Sequence, residues 1–317
     1  MKRALSVFSL LLIAVLAACG GGGGGGSSAS PYTGLTTLAV VTAANADNIA
    51  RQAFQGGDLG ANATTLAPAR TDGGHPATGK PIALTLVQLL SGAANAAFPG
   101  QVAVRAPLPR SVYTDWFPDG LGIGRVDYTL NVNDQTGMFS GTFLFTNFHG
   151  DGGGVIDGPV AVSGMVQGQV ISEILFNFQS VHFVDGAEDV TAFGTVDLIA
   201  GTGGGSATLN IVFADNATHK TLWLSNFTIG VTDLVSATEL RMSGRIYLHD
   251  YGYVDVQTLS GFIYPTGNTL PTGGRLVVTG MDNVKVQLTV VDPTQYLLDV
   301  DTNGDGAWEI TAAVKYW

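Results

Sequence analysis

From residue 121 to the C-terminus, apolar and polar positions alternate with a period of two. Val126, Tyr128, Leu130 and Val132 are separated by Asp127, Thr129 and Asn131, the pattern of a strand with one buried face. Residues 134–137 read as a turn and 139–148 as the returning strand. The alternation recurs over 154–163, 169–184, 190–199, 207–214, 219–229, 239–248, 253–258, 275–279, 284–291, 296–300 and 307–314, giving thirteen strands. The gaps leave no room for crossover helices, so neighbours are expected to pair antiparallel. Thirteen strands exceed what a flat sheet tolerates. The fold class expected is therefore mainly β: a large, strongly curved antiparallel sheet forming a barrel, half-barrel or sandwich, with one or two short N-terminal helices. Glycines recur inside these strands after a serine, at Gly141, Gly164, Gly244 and Gly261, where bulges or tight bends are expected. An Asn-Phe pair recurs at Asn147, Asn177 and Asn226 and reads as a strand end.

Before residue 121 the period changes. Over 42–54, Ala46, Ile49, Ala50, Ala53 and Phe54 fall on one helical face, and Gly56 and Gly57 stop the helix. Residues 58–80 have no period and read as a loop. Over 81–98, Leu86, Leu89, Leu90, Ala93 and Ala97 keep helical spacing, and Pro99 and Gly100 end it. A packed helix is the expectation there, with a strand or membrane segment as alternatives; Gln88, Ser91, Gly92 and Asn95 argue against a span. Residues 101–120 carry Pro107, Pro109, Trp116 and Pro118 and read as a wrapping segment. Residues 31–120 thus form a helix- and loop-containing segment packed on a β domain spanning 121–317.

The first residues carry a different message. Lys2 and Arg3 precede an apolar run over 4–15, too short to span a bilayer comfortably, followed by Leu16, Ala17, Ala18 and Cys19. This arrangement resembles the lipobox of bacterial lipoproteins. The resemblance implies removal of residues 1–18, acylation of Cys19 and a membrane contact through the N-terminal lipid, with two or more acyl chains giving stable anchoring. An ordinary secretory signal is the alternative. Gly20 in place of Asp points, by that family's sorting pattern, to the outer membrane, on either its periplasmic or its surface face. The glycines at 20–26 and the serines after them make residues 19–30 a flexible tether with a reach of roughly 20 Å.

Charge narrows the partners. The net charge is −11, and loss of Lys2 and Arg3 leaves 12 basic side chains against 25 acidic. Nucleic acid and anionic lipid need a basic face, so both are poor partners. Charged residues make up only 12% of the chain while hydrophobic ones make up 45%, so there is apolar area enough for a core and disorder is excluded. The one cysteine is Cys19, which rules out an internal disulfide.

Three further stretches, around Ser243 to Thr258, at Pro271-Thr-Gly-Gly and at Asp299 to Gly306, look like the C-terminal half of a group of Gly-rich bacterial lipoproteins of unknown function. That resemblance implies secretion and a β-rich body and no activity. The glycine tract behind a lipobox is also similar to surface lipoproteins of the transferrin-binding kind, an architectural likeness alone.

Among candidate sites, Asp301, Asn303 and Asp305 alternate ahead of Gly306, with Glu309 beyond. Such oxygens with a turn glycine suit a Ca²⁺ loop, although the position of the EF-hand's last ligand falls on Ala312. A plain hairpin turn is the competing reading. Tyr247, Tyr251 and Tyr253, with His249, crowd one hairpin, where an aromatic rim would grip a protein or glycan partner or merely support the sheet. His75, His149, His182, His219 and His249 lack metal-ligand spacing, and no Walker loop, nucleophile elbow or zincin motif is present. The expected function is a non-enzymatic binding or scaffold role at the envelope. The alternatives are a lipocalin-like carrier of an apolar ligand and, behind it, a hydrolase with a dispersed site. A cavity lined by small residues would favour the carrier, and a packed interior of Phe and Leu would count against it.

Overall fold

The computed structural model describes residues 32–56, a set of helical positions between 83 and 94, and 111–317 apart from a few short turns. Cys19, the glycine tract, His75, Ala97 and the 58–80 loop lie outside the described residues. The body is one antiparallel sheet: β1 (Ser111–Pro118), β2 (Arg125–Val132), β3 (Met138–His149), β4 (Val155–Gln167), β5 (Val170–Asp185), β6 (Glu188–Gly201), β7 (Gly204–Asp215), β8 (Thr221–Asp233), β9 (Ala237–Leu248), β10 (Gly252–Ser260), β11 (Phe262–Pro265), β12 (Gly274–Thr279), β13 (Lys285–Asp292), β14 (Gln295–Asp301) and β15 (Ile310–Tyr316). The strands follow chain order across the sheet, except that β11 folds back onto β9 and β12 takes its place beside β10. β1 and β15 are the two edges, so the sheet is neither closed nor split in two.

All thirteen expected strands are present, and two were missed. β1 lies in the stretch read as a wrapping segment; its Trp116 and Pro118 sit on an edge strand, where a missing N–H costs nothing. The sheet therefore begins at Ser111, before the expected boundary at 121. β11 is only four residues long, below the length at which alternation is legible. Gly204 and Gly205 open β7 and pair with Gly201 and Ala200 of β6.

Helix α1 (Ala46–Gln55) starts later than expected, because Asn45 bonds back to the preceding turn and ends that turn before the helix begins. It stops at Gly56, whose φ of 69° is the left-handed C-cap that glycine adopts without strain. All five residues placed on its apolar face are fully buried. Ala83, Leu86, Val87, Leu89, Leu90, Ala93 and Ala94 are helical and buried as well, which favours the packed helix over the strand. No helix among the described residues is long and apolar enough to cross a membrane.

The inward residues of β2 to β14 and both helical stretches form one apolar cluster. Its largest fully buried members are Tyr296, Phe143, Phe145, Phe176, Phe183, Phe213, Phe227 and Phe262 from the strands, joined by Phe54 of α1. Fully burying each such ring is worth about 1.5–3 kcal/mol, so the core needs no disulfide to hold it. α1 is fixed at both ends of its apolar face. Phe54 packs on Phe262 and Trp317 at 4.8 and 4.9 Å, and the buried Tyr296 hydroxyl donates to Asp47 at 2.6 Å. Trp317 therefore packs inward while Tyr316 is exposed.

Candidate functional site

The outward face of β8, β9 and β10 is the most elaborated surface of the sheet. Register places Trp223, Tyr247 and Tyr253 side by side on three adjacent strands. Trp223 and Tyr247 stack at 4.3 Å, and Tyr247 meets Tyr253 at 5.2 Å. Tyr32 leans on the ladder, 5.9 Å from Trp223 and 5.7 Å from Tyr247. Burial and the nearby phenol of Tyr247 raise the Tyr32 hydroxyl well above its ordinary range, so it stays protonated.

The next row on the same face holds Ser225, Arg245 and Asp255. Arg245 donates twice to Asp255, at 2.8 and 3.1 Å, and lies 4.0 Å over the Tyr253 ring. Hydrogen bonding to Asp255 is the main reason that the guanidinium is held still more firmly protonated than usual. These residues border an open groove of about 540 Å³ that also touches Asn226, Ser243 and Gln257, with Val277 and Thr279 on its far side.

The groove sits at a bulge. Between Ser225 and Thr228 the β8–β9 register shifts, so two residues of β8 oppose Gly244 alone. Asn226 has a φ of 47°, which asparagine tolerates better than most residues. A Cβ on Gly244 would lie 2.5 Å from the Asn226 carbonyl oxygen, so only glycine lets the strands approach there.

Of the three tyrosines expected on a rim, the structure brings Tyr247 and Tyr253 together and sends Tyr251 elsewhere. The Tyr251 hydroxyl accepts from Asn48 of α1 at 2.9 Å, and its ring packs against the core. Trp223 and Tyr32, 24 and 215 residues away from Tyr247 in sequence, complete the ladder; the signal that could have found Trp223 is its outward place in the β8 alternation. Residues 32–41 lie along this region. Thr33 donates to Thr221 at 3.0 Å, Leu35 to the His249 carbonyl at 3.1 Å and Ala39 to the Tyr253 carbonyl at 2.8 Å.

The acidic loop after β14 does gather its side chains. Ligand oxygens of Asp301, Asp305 and Glu309 lie within 4.8 Å of one another, the one such group of three among the described residues. Those oxygens already serve the loop. Buried Asp301 accepts from Gly304 and Gly306 at 2.7 and 2.9 Å, and Glu309 accepts from Thr302 at 2.6 Å. Asn303 donates to Asp305 instead of facing the group as an acceptor, at 3.1 Å. The fold-back of Glu309 is also why β15 begins at Ile310, later than the expected 307.

The same device recurs at two other hairpins. Asp119 is buried and accepts backbone N–H groups from Leu121, Ile123, Gly124 and His149 at 2.8–3.2 Å, plus Nδ1 of His149 at 2.9 Å. Burial pushes its carboxyl up, but these hydrogen bonds outweigh burial and lower it to about 2. Asp215, likewise buried, holds Ala217 and Thr218 in the turn before β8. The remaining described histidines are dispersed: His182 pairs with Asp189 at 2.7 Å on an exposed surface, His219 occupies a turn, and His249 meets Thr221. Among the described residues, no serine, threonine or cysteine side chain hydrogen-bonds to the histidine of either Asp–His pair.

Comparison of the chain with protein-family models, with curated proteins and with solved structures finds no match.

Proposed function

We propose that this chain is a lipid-anchored, non-enzymatic protein of the bacterial cell envelope, held at the outer membrane through Cys19, whose β body binds a partner with its outward face. The carrying observation is the contrast between the two faces. The inward face is occupied by large rings, Phe143, Phe176, Phe183, Phe213 and Tyr296 among them, whereas the outward face carries a groove and an ordered aromatic ladder. That contrast supports surface binding over carriage of an apolar ligand inside the sheet. A hydrolase with a dispersed site gains nothing from the aspartates, since the buried ones are committed to loop amides.

Titration with a fluorescent fatty acid separates these readings. Surface binding expects no stoichiometric uptake by the folded chain. Saturable uptake of one equivalent, quenched in step with the buried rings, would restore the carrier.

A further inference from the structure

We propose that the groove across β8, β9, β10 and β12 binds a neutral glycan chain, an inference that names the ligand class of the surface-binding reading above. The backbone makes the concavity: it lies where β8 bulges at Asn226 and Gly244 admits the close approach, so it exists before any ligand arrives. The walls present the chemistry of a polyol. Ser225 and Ser243 offer hydroxyls that donate and accept, and Asn226 and Gln257 offer planar amides with both roles. The lining holds one cation and one anion, Arg245 and Asp255, paired with each other, so neither an anionic nor a cationic ligand meets an uncompensated charge. An apolar ligand would strip water from these groups without replacing its hydrogen bonds. Adjacent sugar hydroxyls replace them. The polar groups are also fixed in advance: Asp255 grips Arg245 twice, and the guanidinium rests on Tyr253, which the Tyr247–Trp223 stack supports. Such preorganisation lowers the ordering cost of binding.

The test is calorimetric titration of the full chain in detergent with maltoheptaose, cellohexaose and chitohexaose, and with a heparin hexasaccharide as the charged comparison. The expected result is saturable binding of at least one neutral chain, weaker by about tenfold in Gln257→Ala and in Arg245→Met, with no binding of heparin. Gln257 is exposed, so its variant reports on the groove even if Arg245→Met folds poorly. Glu173→Ala, on distant β5, should bind as the parent does. The proposal is overturned if no neutral chain binds at millimolar concentration, if binding survives Gln257→Ala unchanged, or if heparin binds as well. Acylation of Cys19 is read separately. Loss of the glycan result with acylation intact removes only this ligand class, and the converse removes only the anchor.

Discussion

Ala312 has a φ of 50°, a conformation that costs an L-residue with a Cβ roughly 1–2 kcal/mol. It occupies the third copy of one bulge. Asn147, Asn226 and Ala312 each have positive φ, and each donates its N–H to a side-chain oxygen on the neighbouring strand: Asp157 at 2.9 Å, Asn210 at 2.8 Å and Asp299 at 2.7 Å. The first two use the residue that suits the backbone; the third does not. Ala312→Gly should therefore stabilise the chain by about 0.5–1 kcal/mol in urea unfolding, and Asn226→Ala should destabilise it by about 1 kcal/mol. The opposite order would mean that the bulges are not strained where the backbone says they are. Asp119 makes a pH prediction. Its carboxyl is near 2 in the folded chain and near 3.8 unfolded, so the stability it lends is present above 3.8 and is lost as pH falls toward 2. Asp119→Asn should flatten that part of the urea-midpoint profile between pH 2 and 5. An unchanged acid limb would show that the loop does not depend on the carboxylate.

The strands themselves were legible because alternation survives in long segments, and every strand of seven or more residues inside the expected β region was found. Punctuation was harder to read. Asn147 and Asn226 looked like strand ends, yet both lie within strands, because a bulge and a terminus use the same left-handed asparagine. The three hairpins closed by Asp119, Asp215 and Asp301 depend on which carboxylate turns inward, and burial is not written in a lone Asp. The acidic loop illustrates the ambiguity, since oxygens spaced for an ion are also spaced for the loop's own amides. Asp301 accepts from the partly exposed amides of Gly304 and Gly306, so removing it should cost about 1 kcal/mol through the two lost loop hydrogen bonds. Chelator and added Ca²⁺ should both leave the melting temperature unchanged. A rise with Ca²⁺ that Asp305→Ala abolishes would make the loop a cation site. Gly252 ties the segment at 32–41 to the sheet: its φ is 91°, and a Cβ would lie 2.2 Å from the Thr37 carbonyl oxygen. Gly252→Ala should release that segment, seen as faster amide exchange at Ala39 and Tyr253, while exchange in β4 to β6 stays slow. Uniform acceleration instead would mean that the segment is not a separate unit of stability.

The body is a core-stabilised open sheet with its rings inside and its worked surface outside, and a groove of this kind was not legible because it joins residues from four strands at one bulge. The proposed location rests on the residues around Cys19. Growth of expressing cells with labelled palmitate, comparing the parent chain with Cys19→Ala, decides whether Cys19 carries the anchor. Label is expected on the parent chain in the outer-membrane fraction, and the Cys19→Ala chain is expected to be unlabelled and released. A Cys19→Ala chain that still takes up label and sediments with the membrane would contradict the anchor.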